Sequence, residues 1–264
     1  MPIGKCPMCQ LEKQLVKSHL IPRAVYDYCR PPDDDPIIMT NEVVTFSSRQ
    51  TKDYVLCMDC EDILNSDGET WVLPLLADMD GGFPLYDILT SRKADIGDGT
   101  ISAYFAANNR DLRTEMLAHF GLGIFWKASV YSWTKKKREP RIELGPYQEP
   151  LRLYLRKEGP FPKEMALVAV VAPRPVTFAS MGLPYRTSTK ECHHFMFHVP
   201  GIQFNLYVGK EIPESQRKCC VVSSPGNPML LCDLSDSMIR TAREQLATAH
   251  MAQRVVEYQN KLKT

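Results

Sequence analysis

KCPMC at residues 5–9 and LCMDC at residues 56–60 frame the stretch KSHLIPRAVY at residues 17–26. Each Cys-x-x-Cys presents two thiolates from one tight turn. Together Cys6, Cys9, Cys57 and Cys60 supply four sulfurs, the tetrahedral set that a structural zinc ion prefers. The second pair closes a predicted strand, YVL, and leads into a helical stretch, EDILN. Knuckle, strands, then Cys-x-x-Cys at a helix start is the order of a treble clef. A redox role for the pairs finds no support, because no βαβ pattern surrounds them.

The rest of the chain bounds the reading. With 264 residues, 44% of them hydrophobic and 24% charged, it has the composition of an ordinary globular protein. A net charge of +1 advertises no global field toward nucleic acid or membrane, although a local basic face remains compatible with it. No apolar run reaches the roughly 20 residues of a membrane span. Nine cysteines and an amino terminus without the apolar core of a secretory signal point to reduced thiols or metal ligands in the cytoplasm.

Pro and Gly punctuation divides the chain into three. Residues 1–75 form the zinc-stapled unit, with the turn-rich PPDDDP loop inside it. Residues 76–160 are a helical middle segment. Leu112, Met116, Leu117, Phe120, Ile124 and Phe125 recur there at helical spacing between Asp111 and Trp133, and LGPYQEPLRLYLRK suggests a further short helix. Residues 161–264 are β-rich: ALVAVVA, HHFMFHV, IQFNLYVG, CCVVSS and PMLLCDL read as strands of a small antiparallel sheet. A long C-terminal helix is expected from Ser235 to Lys261, capped by Ser235 or Asp236, with Ile239, Ala242, Leu246, Ala249, Ala252 and Val256 as its apolar stripe. That helix packs on its own domain or on a second copy in a homodimer. The expected class is α+β: a treble-clef or ββα-metal unit, a helical middle, a small antiparallel sheet and the long helix.

Residues 5–70 resemble the HNH endonuclease family in its four-cysteine form. Cys6, Cys9, His19, Ile21, Pro22, Leu56, Cys57 and Cys60 match that family's pattern in order. The resemblance implies that His19 is the general base that activates water against a phosphodiester, and that Asn41, in the loop before VVTF, orients it. It also implies a divalent ion, Mg or Mn, that stabilises the developing charge. Two positions depart from the pattern. Ser18 stands where the family has Asp or His, and Glu61 where a His often follows the last cysteine. A carboxylate suits Mg²⁺ or Mn²⁺, so Glu61 is the candidate ligand, with Asn65 one turn on; Asp59 or Glu69 would compensate for Ser18. SHLIPRAVYDY, LCMDCEDILNSDGE, GIFWKASV and ELGPYQEPLR further resemble a group of bacterial proteins. These pair an HNH-like unit with a mixed α/β body, some in mobile or defence-type gene sets.

Arg23, four residues after His19, and the run Lys135, Lys136, Lys137 and Arg138 are candidate phosphate contacts, with Tyr131 and Trp133 beside the run for stacking. A solvated turn is the competing reading of that run. His193, His194 and His198 read as strand histidines, with His194 and His198 on one face. Cys29, Cys219, Cys220 and Cys232 read as free thiols. Three functions remain: a metal-dependent nuclease acting on DNA or RNA in anti-phage defence, an inactive zinc-stapled nucleic-acid-binding module, and a sensor whose sheet binds a ligand.

Overall fold

The computed structural model describes residues 1–30, 35–39, 43–97, 101–133, 142–173, 180–187, 192–222, 229–233, 250–253 and 255–257. In chain order the first elements are β1 (Ile3–Lys5), β2 (Glu12–His19), α1 (Arg23–Tyr28), β3 (Ile37–Met39), β4 (Val43–Phe46), β5 (Lys52–Cys57), α2 (Met58–Leu64) and, after a π-turn over Asn65–Glu69, α3 (Thr70–Val72). There follow α4 (Pro84–Thr90), β6 (Ile96–Gly97), β7 (Ile101–Phe105), α5 (Thr114–Val130) and α6 (Gln148–Leu155). The remainder is β8 (Met165–Val171), β9 (Met181–Thr187), β10 (His193–Val199), β11 (Ile202–Val208), α7 (Glu214–Lys218), β12 (Met229–Asp233) and β13 (His250–Met251). The class is α+β.

Two sheets result. The small one is antiparallel, in the order β1-β2-β5, and carries the cysteine turns. The large one has ten strands among the described residues, in the order β13-β4-β3-β9-β10-β11-β8-β12-β7-β6. It is mixed: β13 with β4, β3 with β9, and β8 with β12 are parallel pairs. Its centre is a continuous antiparallel ladder, β9-β10-β11-β8. Pro200 and Gly201 form the two-residue turn between β10 and β11. Gly201 at φ +81° supplies the left-handed residue that Pro-Gly turns need.

α5 lies between the large sheet and α2 with the π-turn that follows it. Fourteen of its seventeen residues are buried, including Lys127 and His119 and the aromatics Phe120, Phe125 and Trp126. A helix apolar around nearly its whole circumference must be enclosed on every side. On the large-sheet side Phe125 meets Phe197 edge-on at 4.8 Å, and Phe120 lies 5.8 Å from Phe204. On the other side Gly123 takes the Leu64 side chain of α2, and Gly68 of the π-turn abuts the Phe120 backbone. One buried apolar cluster runs from Cys6 through α5 to Leu230. Residues of all three sequence segments therefore share a core.

Several expectations are corrected. The antiparallel strands of the C-terminal part belong to a large mixed sheet, because β3, β4 and β7 from earlier in the chain add to it through non-local pairing. The middle segment is not helical throughout: ISAYF is a strand that pairs with β12. CCVVSS is not a strand over Cys219–Val222; it leaves α7 through turns, with Cys219 N–H bonded to the Ser215 carbonyl. β9 was not foreseen, since Gly182 and Pro184 interrupt its pattern; Pro184 is accommodated where the β9–β10 register shifts. Within the expected C-terminal helix, His250 and Met251 are instead a strand beside β4. Residues 235–249, 254 and 258–261 of that stretch lie outside the described residues, as does the PPDD part of the 31–36 loop.

Gly68 is held against main chain rather than a side chain that can turn aside. A Cβ there would sit 2.8 Å from the Phe120 nitrogen. Gly68→Ala is expected to lower the unfolding free energy by about 1–3 kcal/mol, read as a lower midpoint of urea denaturation with an unchanged slope.

Candidate metal centre and histidine site

The bulged pairing of β2 and β5 brings the two cysteine turns together. The first turn is closed by Gln10 N–H donating to the Cys6 carbonyl, with Gln10 in the left-handed region at φ 62°. The second begins where β5 ends, so that Cys57 and Cys60 project from the start of α2. The sulfurs of Cys6, Cys9, Cys57 and Cys60 all lie within 4.8 Å of one another. Cys9 Sγ and Cys57 Sγ are 3.8 Å apart. A regular tetrahedron of Zn–S bonds of about 2.3 Å has edges of about 3.8 Å, so the cluster has the dimensions of a metal site, such as one for zinc. Among the described residues it is the one such group of three or more ligand side chains.

Electrostatics favour a cation there. A thiolate at Cys6 is stabilised by the Cys60 thiol and by backbone N–H groups, which hold its pKa down to about 4. Cys60 is pushed up, first by its bond to Cys6 and then by burial, and burial also raises Cys57. Without a cation the group supports one thiolate at the expense of its neighbours; a bound dication reverses that balance. α6 reinforces the first turn, with Arg152 donating to the Met8 carbonyl at 2.6 Å while paired with Glu149.

His19 closes β2 and is half-buried. Its Nε2 is 3.0 Å from Gln50 Oε1, and that same oxygen accepts from Lys52 Nζ at 3.4 Å. The oxygen is thus an acceptor, so His19 Nε2 carries the proton and Nδ1 keeps its lone pair. Burial lowers the pKa of His19, with Lys52 and Lys127 acting in the same sense and Gln50 and Glu61 opposing them. Lys127, in the enclosed helix α5, donates to the His19 carbonyl at 2.7 Å and lies 3.8 Å from Glu69 Oε1. Burial raises the Glu69 pKa; Lys127 lowers it and nearby Glu61 raises it further. Glu61 Oε1 is buried without a hydrogen-bond partner. A void of about 10 Å³, the scale of one water, is lined by Glu69, Lys127 and His119, whose Nδ1 is also unbonded.

The structure brings Glu61 and Glu69 within electrostatic reach of each other, and Glu61 within reach of His19, but does not bring Ser18, Asn65 or Asp59 to them. Ser18 is buried, and its Oγ accepts the Leu56 N–H at 3.1 Å, filling the bulge in the sheet. It serves the backbone. Asn65 is exposed, with its amide oxygen 3.3 Å from Thr70 Oγ1, and no hydrogen bond among the described residues joins it to His19 or Glu61. Asp59 is exposed and pairs with Lys13 at 2.6 Å. Arg23 is exposed at the start of α1. Asn41 and Lys135, Lys136, Lys137 and Arg138 lie outside the described residues. Tyr131 and Trp133 are committed inside the molecule, to Asp53 Oδ2 at 2.7 Å and to the Lys127 carbonyl at 2.8 Å. Gln50, Lys127 and the void-lining His119 were missed by the sequence reading, and no motif or periodicity marks them.

The sheet histidines do not converge on a metal. His194 lies between Thr187 Oγ1 and Asn205 Oδ1 and stacks on Tyr207 at 4.3 Å; His198 bonds Ser180, and His193 bonds Arg186. No helix among the described residues is long and apolar enough to cross a membrane. No family model, no curated protein and no solved structure matches the chain.

One zinc per chain is expected by elemental analysis of purified protein. Cys60→Ser is expected to lose it and to lower the melting temperature, because the four sulfurs join turns separated by about fifty residues of chain.

Proposed function

We propose that the chain is an HNH-like, metal-dependent nuclease whose zinc centre, of treble-clef type, is a staple and whose reaction is run by His19. The observation that carries this reading is a half-buried, neutral His19, held at Nε2 by Gln50, within electrostatic reach of Glu61, whose buried oxygen is unbonded one residue beyond a zinc-ligand cysteine. In this reading Gln50 does the orienting work expected of Asn41. With Nε2–H engaged, His19 Nδ1 takes the proton from the attacking water, and the lowered pKa keeps it free to do so at neutral pH. Lys127 fixes the main chain of His19 through its carbonyl, so that the imidazole starts from a set position.

Glu61 suits a divalent ion such as Mg²⁺ or Mn²⁺: a carboxylate oxygen enclosed without a donor is a hard anionic ligand whose desolvation calls for a cation. When bound, that ion would stabilise charge on the phosphate and the leaving oxygen. Asn65 is a candidate second ligand only if its amide leaves Thr70. Substrate is DNA or RNA, and a role in bacterial anti-phage defence follows from the resemblance of the chain to proteins of such gene sets. The second reading, a zinc-stapled binding module without hydrolysis, is favoured by one observation: Ser18 is used up in the sheet and offers no charge to an ion.

The two are separated by nicking of supercoiled plasmid with Mg²⁺ or Mn²⁺. His19→Ala, with zinc retained, is expected to reduce the rate by about 10²–10⁴-fold; Gln50→Ala is expected to cost less. Nicking by wild type should persist below the ordinary histidine pKa of about 6.5 and fall at more acidic pH as His19 protonates. No nicking of plasmid and no cleavage of RNA by the zinc-loaded wild type would leave the binding module.

A further inference from the structure

His19 does not stand alone on its strand. The register of β2 and β5 is regular here, with Lys17 opposite Tyr54, Ser18 opposite Asp53 and His19 opposite Lys52. Side chains alternate across a strand, so Lys17, His19, Lys52 and Tyr54 share one face, and Ser18 and Asp53 share the other. Burial follows that division: Ser18 is buried, while Lys17 and Lys52 are exposed and His19 and Tyr54 are half-buried. The acid next in sequence, Asp53, accepts from Tyr131 on the far side and does not neutralise this face.

Both lysines are positioned rather than trailing. Lys17 Nζ lies 5.7 Å from the centre of the Tyr54 ring, within cation–π range. Lys52 Nζ is 3.4 Å from Gln50 Oε1, the oxygen that also holds His19. Neither ammonium has a carboxylate partner among the described residues. One therefore precedes His19 along its own strand, and the other lies directly across from it. The spacing from Lys17 to His19 is about 6.6 Å, two residues of strand at roughly 3.3 Å each. Successive phosphates of a nucleic-acid strand advance by about 3.4 Å along the helix axis, so the face spans about two nucleotide steps.

We propose that the β2–β5 face is the track for the phosphodiester backbone of the substrate strand, with Lys17 neutralising a phosphate further along from the one presented to His19 and Lys52 supplying its charge directly across from His19. This rests on the nucleic-acid reading above and deepens it, by assigning substrate contacts to the two lysines that share the face of His19. Lysine acts there as a point charge and reads no base, so the track is indifferent to sequence.

The test is a salt titration. Binding of a 20-nucleotide fluorescein-labelled DNA strand, its duplex and the matching RNA is measured by anisotropy without divalent ion, for wild type, Lys17→Gln, Lys52→Gln and the control Lys163→Gln. Lys163 is exposed in the turn before β8. Zinc content and melting temperature should match wild type in all three. Each face variant is expected to bind roughly eightfold more weakly at about 0.1 M salt and to flatten the slope of log affinity against log salt by about one. The control should do neither. Plasmid nicking is followed in parallel. Face variants with wild-type affinity and slope, or a wild type that binds none of the three probes, would overturn the track. Loss of binding in the face variants together with no cleavage by wild type would uphold the track and sink the hydrolytic reading. Normal cleavage with unaltered slopes would do the reverse.

Discussion

Four thiols held within 4.8 Å of one another are an electrostatic problem before they are a fold. The buried group can keep one thiolate at Cys6 only by pushing Cys57 and Cys60 toward the neutral form. A dication turns the same geometry from a strain into a source of stability, since binding energy for a site absent in the unfolded chain is folding energy. Much else is referred to that point. It sets where β5 stops and α2 starts, and it fixes the knuckle whose Met8 carbonyl receives Arg152 from α6. The bulge between β2 and β5, filled by Ser18, lets the strand that carries His19 run alongside.

The second constraint is a buried charge. Lys127 is 2% exposed in a helix enclosed on all sides, and its ammonium is satisfied by the His19 carbonyl and the nearby Glu69. Such pairs contribute little net stability, because desolvation offsets much of their attraction. What Lys127 does is join α5, packed on the large sheet, to the end of β2 in the small one. The position of His19 is thus coupled to the core that the N-terminal unit shares with the rest of the chain.

How far this could be read beforehand varies with the physics of each element. Cys6, Cys9, Cys57 and Cys60 were legible because metal ligation imposes a spacing. β8, β10, β11 and β12 were legible because strands that pair locally keep alternation or a continuous apolar run. β9 was hidden by Gly182 and Pro184, whose place at a register shift is a tertiary fact. The ten-stranded sheet was hidden because its parallel pairs, such as Ile38 with Met181, join residues far apart in sequence. α5 showed its helical period but not its enclosure: a lysine and a histidine on it look like a solvated side until Glu69, the His19 carbonyl and the Leu155 carbonyl are in place. Gln50 carried no signal at all, being a polar residue in a loop that acquires meaning only through the oxygen it shares between His19 and Lys52.

The charge inventory near His19 bears on how the proposed reaction would be ordered. His19 is neutral, Glu61 and Glu69 are acidic, and Lys127 beside Glu69 offsets one of them. Ser18 adds nothing, because its hydroxyl is spent on the Leu56 N–H. A pocket with about one uncompensated carboxylate is a weak holder of a divalent ion, and Mg²⁺ in particular completes its shell from substrate phosphates when protein carboxylates are few. The exposed ammonium groups of Lys17 and Lys52 pull in the same direction, since they attract a phosphodiester independently of any ion. A strand seated across β2 and β5 would bring to His19 the negative charge that Ser18 fails to supply. The departure at Ser18 is then less a loss of function than a shift of ligand duty from protein to substrate.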